Sequence, residues 1–440
     1  MSETRFVVEP GGRLTGRIRV PGDKSISHRS IMFGSLADGV TEVSGFLEGE
    51  DCLATLNAFR AMGVRIDGPA AGRVTIHGVG LHGLKPPAGP LDMGNSGTSM
   101  RLMSGILSGQ AFDTVLTGDA SLSKRPMKRV TAPLAQMGAR IETTERGTAP
   151  LHIRGASGLH GIDYVLPMAS AQVKSCLLLA GLYASGTTRV TEPAPTRDHT
   201  ERMLEGFGYP LVREGERTFS VGGGHRLGAT AIDVPADISS AAFFLVVASI
   251  APGSDLTLEH VGINPTRTGV IDILRLMGAD IEVQNPRTVG GEPVADLRVR
   301  AAPLRGIRIP EALVPLAIDE FPVLFVAAAC AAGETVLTGA EELRAKESDR
   351  IQVMADGLVA MGIDARPTAD GIVIQGGAFA RGAEIATHHD HRIAMSFTIA
   401  GLRGAGTHVI RDAGFVDTSF PGFVELARTA GIDVRAERSA

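Results

Sequence analysis

The chain has 440 residues, 44% hydrophobic and 21% charged, which is too long for one ordinary core, so two or more domains are expected. A net charge of −5, aromatics at 4% and no tryptophan speak against a general nucleic-acid binder, which needs a basic face and stacking rings. Unbroken apolar runs such as 241–248 are much too short to span a bilayer.

The first residues, MSETRFVVEPGG, show neither a signal-peptide core nor transit character, so the cytoplasm is the expected compartment. Cys52, Cys176 and Cys330 stand alone in apolar runs with no CxxC pair, which reads as reduced thiols rather than a zinc site or disulfides. Two short strands, 5–8 and 16–20, open the chain as an extra strand pair. They complete nothing in the segment that follows, and a crossing to the second half of the chain is expected.

Next comes Pro21-Gly22-Asp23-Lys24-Ser25-Ile26-Ser27-His28-Arg29-Ser30. A helix beginning here puts Lys24, Ser25 and Arg29 near an N-terminus, where free amide groups and the helix dipole favour an anion. A capped surface helix with solvated charges is the plainer reading of one such segment. The design recurs, however. Met62-Gly63, Met137-Gly138, Phe207-Gly208, Met277-Gly278, Met361-Gly362 and Ala430-Gly431 each end a helix at a glycine and hand over to a strand. The glycines are 75, 70, 70, 84 and 69 residues apart, an internal repeat of about 70 residues.

Each repeat reads as an apolar first helix (27–36, 99–107, 172–183, 240–250, 321–331, 392–402), then a strand (40–43, 114–117, 187–191, 255–258, 335–338, 407–410). A loop, a second helix and further strands follow. Six repeats suggest two domains of three, divided near Asp233-Val234-Pro235-Ala236.

The six first helices open on DKSISHR, GNSGTSMR, MASAQVK, ADISSA, IDEFP and HHDHR. Capping accounts for Asp237, Ser239 and Ser240. It does not call for Lys24, Arg29, Gln172, Lys174 or Arg392, because a cation at a helix N-terminus is unfavourable unless an anion compensates it. The loops before the second helices add Arg125 within KRPMKR, Arg197 within TRDHT, Arg267, and the run Glu341–Arg350, EELRAKESDR. That run reads either as a solvated helix laced with ion pairs or as a face on which Lys346 and Arg350, four apart, meet one anion beside Glu347. The Gly222-Gly223-Gly224 run lacks a dinucleotide-fold context, no phosphate-binding GxxxxGK[ST] occurs, and His388, His389 and His391 lack metal spacing.

Taken together, PGDKSISHR, GNSGTSMR, GDASLSKRPM, SAQVKS, TRDHTERM, NPTRTG, EELRAKESDR and DHRIAMSF closely resemble the 5-enolpyruvylshikimate-3-phosphate synthase family, in order over nearly the whole chain. The wording of TRDHT, NPTRTG and THHDHRIAM is most similar to the class II-like bacterial form, noted for members less sensitive to glyphosate. The resemblance implies an α/β (α+β) enolpyruvyl transferase fold, an inside-out α/β barrel of two domains, each of three βαβαββ-type repeats. One domain is 21–234, mainly for shikimate-3-phosphate; the other is 1–20 plus 235–440, for the phosphoenolpyruvate clamp and proton transfer.

The implied reaction moves the enolpyruvyl group of phosphoenolpyruvate to the 5-hydroxyl of shikimate-3-phosphate. By resemblance, Lys24, Ser25, Arg29, Ser170, Gln172, Arg197, Asp319 and Lys346 hold shikimate-3-phosphate. Lys24, Asn95, Gly97, Arg125, Gln172, Arg350 and Arg392 surround phosphoenolpyruvate. Asp319 is the expected base, Glu347 the acid at carbon, and Lys346 serves the oxygen, with Lys24 touching both anions. A monomer needing no metal or organic cofactor is implied, with glyphosate as inhibitor and neither nucleic acid nor membrane as partner. Closure of the two domains around both anions is expected to expel water.

Two positions depart from the family pattern: Thr418 stands where some members carry lysine, and Gly97 where glyphosate-tolerant members often carry alanine. A sister enzyme acting on a UDP-amino sugar uses a cysteine in the loop that here reads Asp119-Ala120-Ser121-Leu122-Ser123-Lys124. A non-catalytic anion-binding or RNA-end-binding protein is the alternative from another class, and it would not need Asp319, Lys346 and Glu347 together.

Overall fold

The structure is a computed structural model describing residues 4–155 and 158–438. The extreme ends of the expected domain ranges, 1–3 and 439–440, lie outside the described residues. The helices come in pairs, one pair to each repeat. They are α1 (Lys24–Leu36) and α2 (Glu50–Ala61), α3 (Gly97–Ser108) and α4 (Lys128–Gln136), and α5 (Ala171–Gly181) and α6 (His199–Gly206). Then follow α7 (Ile238–Ile250) and α8 (Gly269–Leu276), α9 (Phe321–Cys330) and α10 (Arg350–Ala360), and α11 (His391–Gly401) and α12 (Phe423–Ala430).

The first helix of each pair has no polar face, and it is buried almost all round: every residue of α7, and all of α1 beyond its first two residues. Small residues let these helices approach closely. A Cβ on Gly105 of α3 would lie 2.2 Å from the Cys176 carbonyl oxygen of α5, so only glycine fits that crossing. The second helix of each pair ends as expected from the sequence. Gly63, Gly138, Gly208, Gly278, Gly362 and Gly431 all have positive φ, the left-handed turn that releases the chain into a strand.

Each repeat lays a small sheet outside its inner helix. In the second repeat, Leu91–Asp92 before α3 runs parallel to Thr114–Thr117 after it. That strand pairs antiparallel with Leu151–Arg154, which in turn pairs with Arg140–Glu142 at the edge. The same order recurs around the chain, except that the fifth sheet has three strands and an isolated parallel bridge, Arg308 to Val336, stands where its first strand would be. Helices inside and sheets outside make the inside-out βαβαββ architecture expected from the sequence. Among the described residues the six sheets stay separate and none closes into a barrel.

The first and fourth repeats exchange their leading strands. Thr15–Ile18, just before α1, pairs parallel with Asp255–Gly262 of the fourth repeat. Ala231–Asp233, just before α7, pairs parallel with Asp38–Ser44 of the first. Thr4–Val8 lies between His408–Arg411 and Val434–Arg438, antiparallel to both, and fills the sixth sheet. The two opening strands are therefore not partners of each other, as the sequence suggested, but belong to different sheets. Gly11 and Gly12, at φ 100° and 104°, turn the chain between them.

The chain divides into two compact units. The N-terminal unit is Gly22–Val234 with the hairpin tip Val289–Glu292; the C-terminal unit holds the residues up to Pro21, Pro235–Thr288 and those from Pro293 onward. Each has its own continuous apolar core around its three inner helices. Among the described residues, no helix is long and apolar enough to cross a membrane.

Candidate active site

The sequence-selected residues fall into two sets, one in each unit. In the N-terminal unit, Asp23 caps α1, its carboxylate accepting from the Ile26 amide at 2.8 Å, and this starts the helix at Lys24. Lys24 and Ser25 stand half-buried in the first turn, and Lys24 is ion-paired with Asp51 at the start of α2. Arg29 is buried. It donates from Nε to Thr200 Oγ1 at 2.7 Å, from Nη2 to Ser175 Oγ at 2.9 Å and from Nη1 to the Ser25 carbonyl at 2.9 Å.

Burial pulls the Arg29 guanidinium down to about 10, against the attraction of Glu201 and Asp23, and nearby Arg197 adds to the pull. A cation destabilised by burial and by a second cation marks a place that an anion would relieve.

At α3, Ser96 is the cap and Gly97 the first helical residue. Two guanidiniums crowd over Gly97. A Cβ there would lie 3.0 Å from Arg101 Nη1 and 3.3 Å from Arg125 Nη1. Arg125 Nη2 donates to Asn95 Oδ1 at 2.7 Å, and Asn95 Nδ2 to Asp119 Oδ2 at 2.7 Å. Arg101 Nη1 donates to Gln172 Oε1 at 2.5 Å, and Gln172 Nε2 to Thr98 Oγ1 at 3.0 Å. Ser170 caps α5 through the Val173 amide. The starts of α3 and α5 thus converge on one cradle of donors. Arg101 was not singled out from the sequence, although it lies one helical turn after Gly97.

Lys174 is different. The sequence reading grouped it with the anion-binding cations, but its side chain is fully buried between Glu192 (3.0 Å) and Glu201 (2.7 Å), both also buried. It is an internal counter-ion, not a ligand group. Arg267 is corrected likewise: buried, it donates to Asp237 at 3.2 Å and Ser239 at 2.6 Å, so the start of α7 is neutralised from within. Asp237 is the cap of α7, as capping chemistry required.

In the C-terminal unit, the charged run Glu341–Arg350 is not a continuous helix. A 3₁₀ turn covers Glu341–Ala345, Lys346 is extended, and Asp349 caps a new helix by accepting from the Gln352 amide at 3.0 Å. Lys346 and Arg350 therefore share no helical face. They converge instead on Asp319, whose Oδ1 lies 3.5 Å from both Lys346 Nζ and Arg350 Nη1.

Glu347 accepts from Arg350 Nη2 at 2.7 Å, and Glu342 from Lys346 at 2.8 Å. Arg392, in the first turn of α11, donates to the Asp319 carbonyl at 2.9 Å. Thr418 is buried in a 3₁₀ turn and donates to the Phe415 carbonyl at 2.7 Å, so this position presents no cation.

Asp390 organises this cluster and was missed from the sequence. It is fully buried, caps α11 through the Arg392 amide (2.9 Å), and accepts from Arg350 Nε at 2.9 Å and Ser348 Oγ at 3.0 Å. Burial pushes its carboxyl up most strongly, but the charge and hydrogen bond of Arg350, together with His391, bring it below the usual carboxylate range. Burial pulls Arg350 down, yet Asp390, Glu347 and Asp319 together raise it. The only available signal was position, an aspartate two residues before Arg392 at a helix start.

The first set offers donors and positive charge for anions. The second adds carboxylates beside cations, a combination suited to moving protons.

A family model described as EPSP synthase (3-phosphoshikimate 1-carboxyvinyltransferase) matches residues 8–426. A 3-phosphoshikimate 1-carboxyvinyltransferase of Methylococcus capsulatus is 73% identical over 429 residues, covering 98% of each chain. One of Alkalilimnicola ehrlichii is 71% identical, covering 97% of this chain and 96% of its own. The solved EPSP synthase of Acinetobacter baumannii superposes with a TM-score of 0.89 at 61% identity, over 99% of this chain and 100% of its own. This chain belongs to the EPSP synthase family.

Proposed function

We propose that this chain transfers the enolpyruvyl group of phosphoenolpyruvate to the 5-hydroxyl of shikimate-3-phosphate, giving 5-enolpyruvylshikimate-3-phosphate and phosphate, with the two sets of residues above as its working parts. The activity is that of the family, and it places the enzyme in the shikimate route to chorismate and the aromatic amino acids. The observation carrying the residue assignments is Asp319, a carboxylate 3.5 Å from both Lys346 and Arg350. Anion binding alone gives no reason for a carboxylate there; proton transfer does.

In this reading the N-terminal unit mainly binds shikimate-3-phosphate, through Lys24, Ser25, Arg29, Ser170, Gln172 and Arg197. The C-terminal unit clamps phosphoenolpyruvate with Arg350 and Arg392, and Asn95, Gly97 and Arg125 also serve that substrate. Fixed cations are needed because two multiply charged anions repel each other when held side by side. Asp319 takes the 5-hydroxyl proton as that oxygen bonds to C2 of phosphoenolpyruvate, and Glu347 delivers a proton to the methylene carbon.

The tetrahedral intermediate then loses a proton from the methyl carbon and its C–O bond to phosphate breaks. Lys346 stabilises charge on oxygen throughout. The same reading includes glyphosate as an inhibitor at the phosphoenolpyruvate subsite, and a monomer working in the cytoplasm.

The test is phosphate release from purified protein. Release that requires both shikimate-3-phosphate and phosphoenolpyruvate is expected. Release independent of shikimate-3-phosphate, or a UDP-amino sugar serving in its place, overturns the assignment.

A further inference from the structure

The N-terminal unit contains a polar chain that the reaction itself does not use. His28 lies on α1 one turn after Lys24 and next to Arg29, and it is fully buried. Its Nδ1 is 2.8 Å from Thr55 Oγ1 on α2. Thr55 Oγ1 is 2.6 Å from Ser99 Oγ on α3, and Ser99 Oγ is 2.7 Å from Ser96 Oγ, the cap of α3. All four side chains are at most 1% exposed.

The hydrogens can be placed by counting. Ser99 donates its hydroxyl proton to Ser96, whose Oγ also accepts the Ser99 amide at 3.1 Å. Thr55 must then donate to Ser99, and His28 must donate from Nδ1 to Thr55. The imidazole is thus neutral with its proton on Nδ1, leaving Nε2 buried with no hydrogen-bond partner among the described residues. Burial, Lys24 and Arg29 all push the ring toward the neutral form.

Such a chain is costly in an otherwise apolar helix interface unless every link is made, and once made it fixes the helices far more sharply than apolar contact does. It begins between two cations assigned to substrate binding and ends at the residue preceding Gly97. Resting on the function proposed above, we propose that His28 is a positioning residue. Through Thr55 and Ser99 it pins the Ser96 cap, and so sets where Gly97 and the Arg101 and Arg125 guanidiniums stand relative to Lys24. Phosphoenolpyruvate binding should feel its loss more than shikimate-3-phosphate binding, because the far end of the relay is the start of α3.

The experiment compares His28→Leu, Thr55→Val and His28→Asn, whose amide can still donate to Thr55. His28→Leu, which loses one buried hydrogen bond, is expected to raise KM for phosphoenolpyruvate about tenfold, and Thr55→Val, which loses two links, at least as much, while KM for shikimate-3-phosphate moves less than about twofold in both. His28→Asn is expected to restore most of the loss. Equal changes in both KM values, or no recovery in His28→Asn, overturns the proposal.

Hydrogen exchange of the 98–101 amides in the unliganded protein reads the same geometry without turnover. Faster exchange in Thr55→Val supports the relay, and unchanged exchange overturns it. An inactive wild-type protein whose Thr55→Val variant still loosens α3 would count against the proposed reaction and not against the relay.

Discussion

Two lysines in the first turns of comparable inner helices, Lys24 of α1 and Lys174 of α5, behave oppositely, and the difference is one of burial and partners. The Lys24 side chain is 23% exposed and pairs with Asp51, whereas that of Lys174 is 0% exposed between Glu192 and Glu201. Lys24→Met is expected to lower kcat/KM by at least about 10²–10³-fold, the scale of one lost electrostatic donor in a reacting site, with thermal unfolding unchanged. Lys174→Met strands Glu192 and Glu201 in the interior and is expected to destabilise by about 3–5 kcal/mol. Thermal unfolding and phosphate release on both variants check this, and a Lys174→Met protein of normal stability would refute the structural role. Sequence alone did not separate the two lysines, because Glu192 and Glu201 lie 18 and 27 residues beyond Lys174, in other elements. Local composition announces a cation; only the fold shows what already neutralises it.

The repeated helix start is the unit from which the site is made. Its outline was legible because helix ends obey local chemistry: left-handed glycines close the second helices, and Asp23, Ser96, Ser170, Asp237 and Asp390 cap inner ones. The run Glu341–Arg350 was not legible, since its spacing fits a continuous helix and the break depends on Asp349 capping the next one.

At the start of α3, the conformation of Gly97 is helical and any residue can adopt it, so Gly97→Ala should fold normally. Its methyl would meet the Arg101 and Arg125 guanidiniums at 3.0 and 3.3 Å and press on the space in front of them. Glyphosate places more atoms between its two anionic ends than phosphoenolpyruvate does, so it should lose more. The inhibition constant for glyphosate is expected to rise by a larger factor than KM for phosphoenolpyruvate; equal factors would sink this account.

At the scale of the molecule, the six-fold period was readable but the strand exchange was a weak expectation, because pairing between Thr15 and Asp255 spans 240 residues and leaves no local trace. The exchange has a consequence for stability. Phe6, Val8, Leu14, Ile18 and Val20 are buried in the core of the C-terminal unit, and none belongs to the core of the other. At about 1.5–3 kcal/mol for each large apolar side chain, their removal costs roughly 7–15 kcal/mol, as much as the whole stability of a typical domain. Two sheets would also each lack a strand, exposing unpaired edges on Asp255–Gly262, His408–Arg411 and Val434–Arg438. Deleting residues 1–20 should therefore unfold the C-terminal unit while leaving the N-terminal unit folded, since Ala231–Asp233 still completes its first sheet. Hydrogen exchange resolved by peptide is the measurement. Protection should vanish from 255–262 and 408–438 and persist in 38–79 and 97–108. Loss spread evenly over both sets would mean that the opening strands stabilise the chain as a whole and not one of its units.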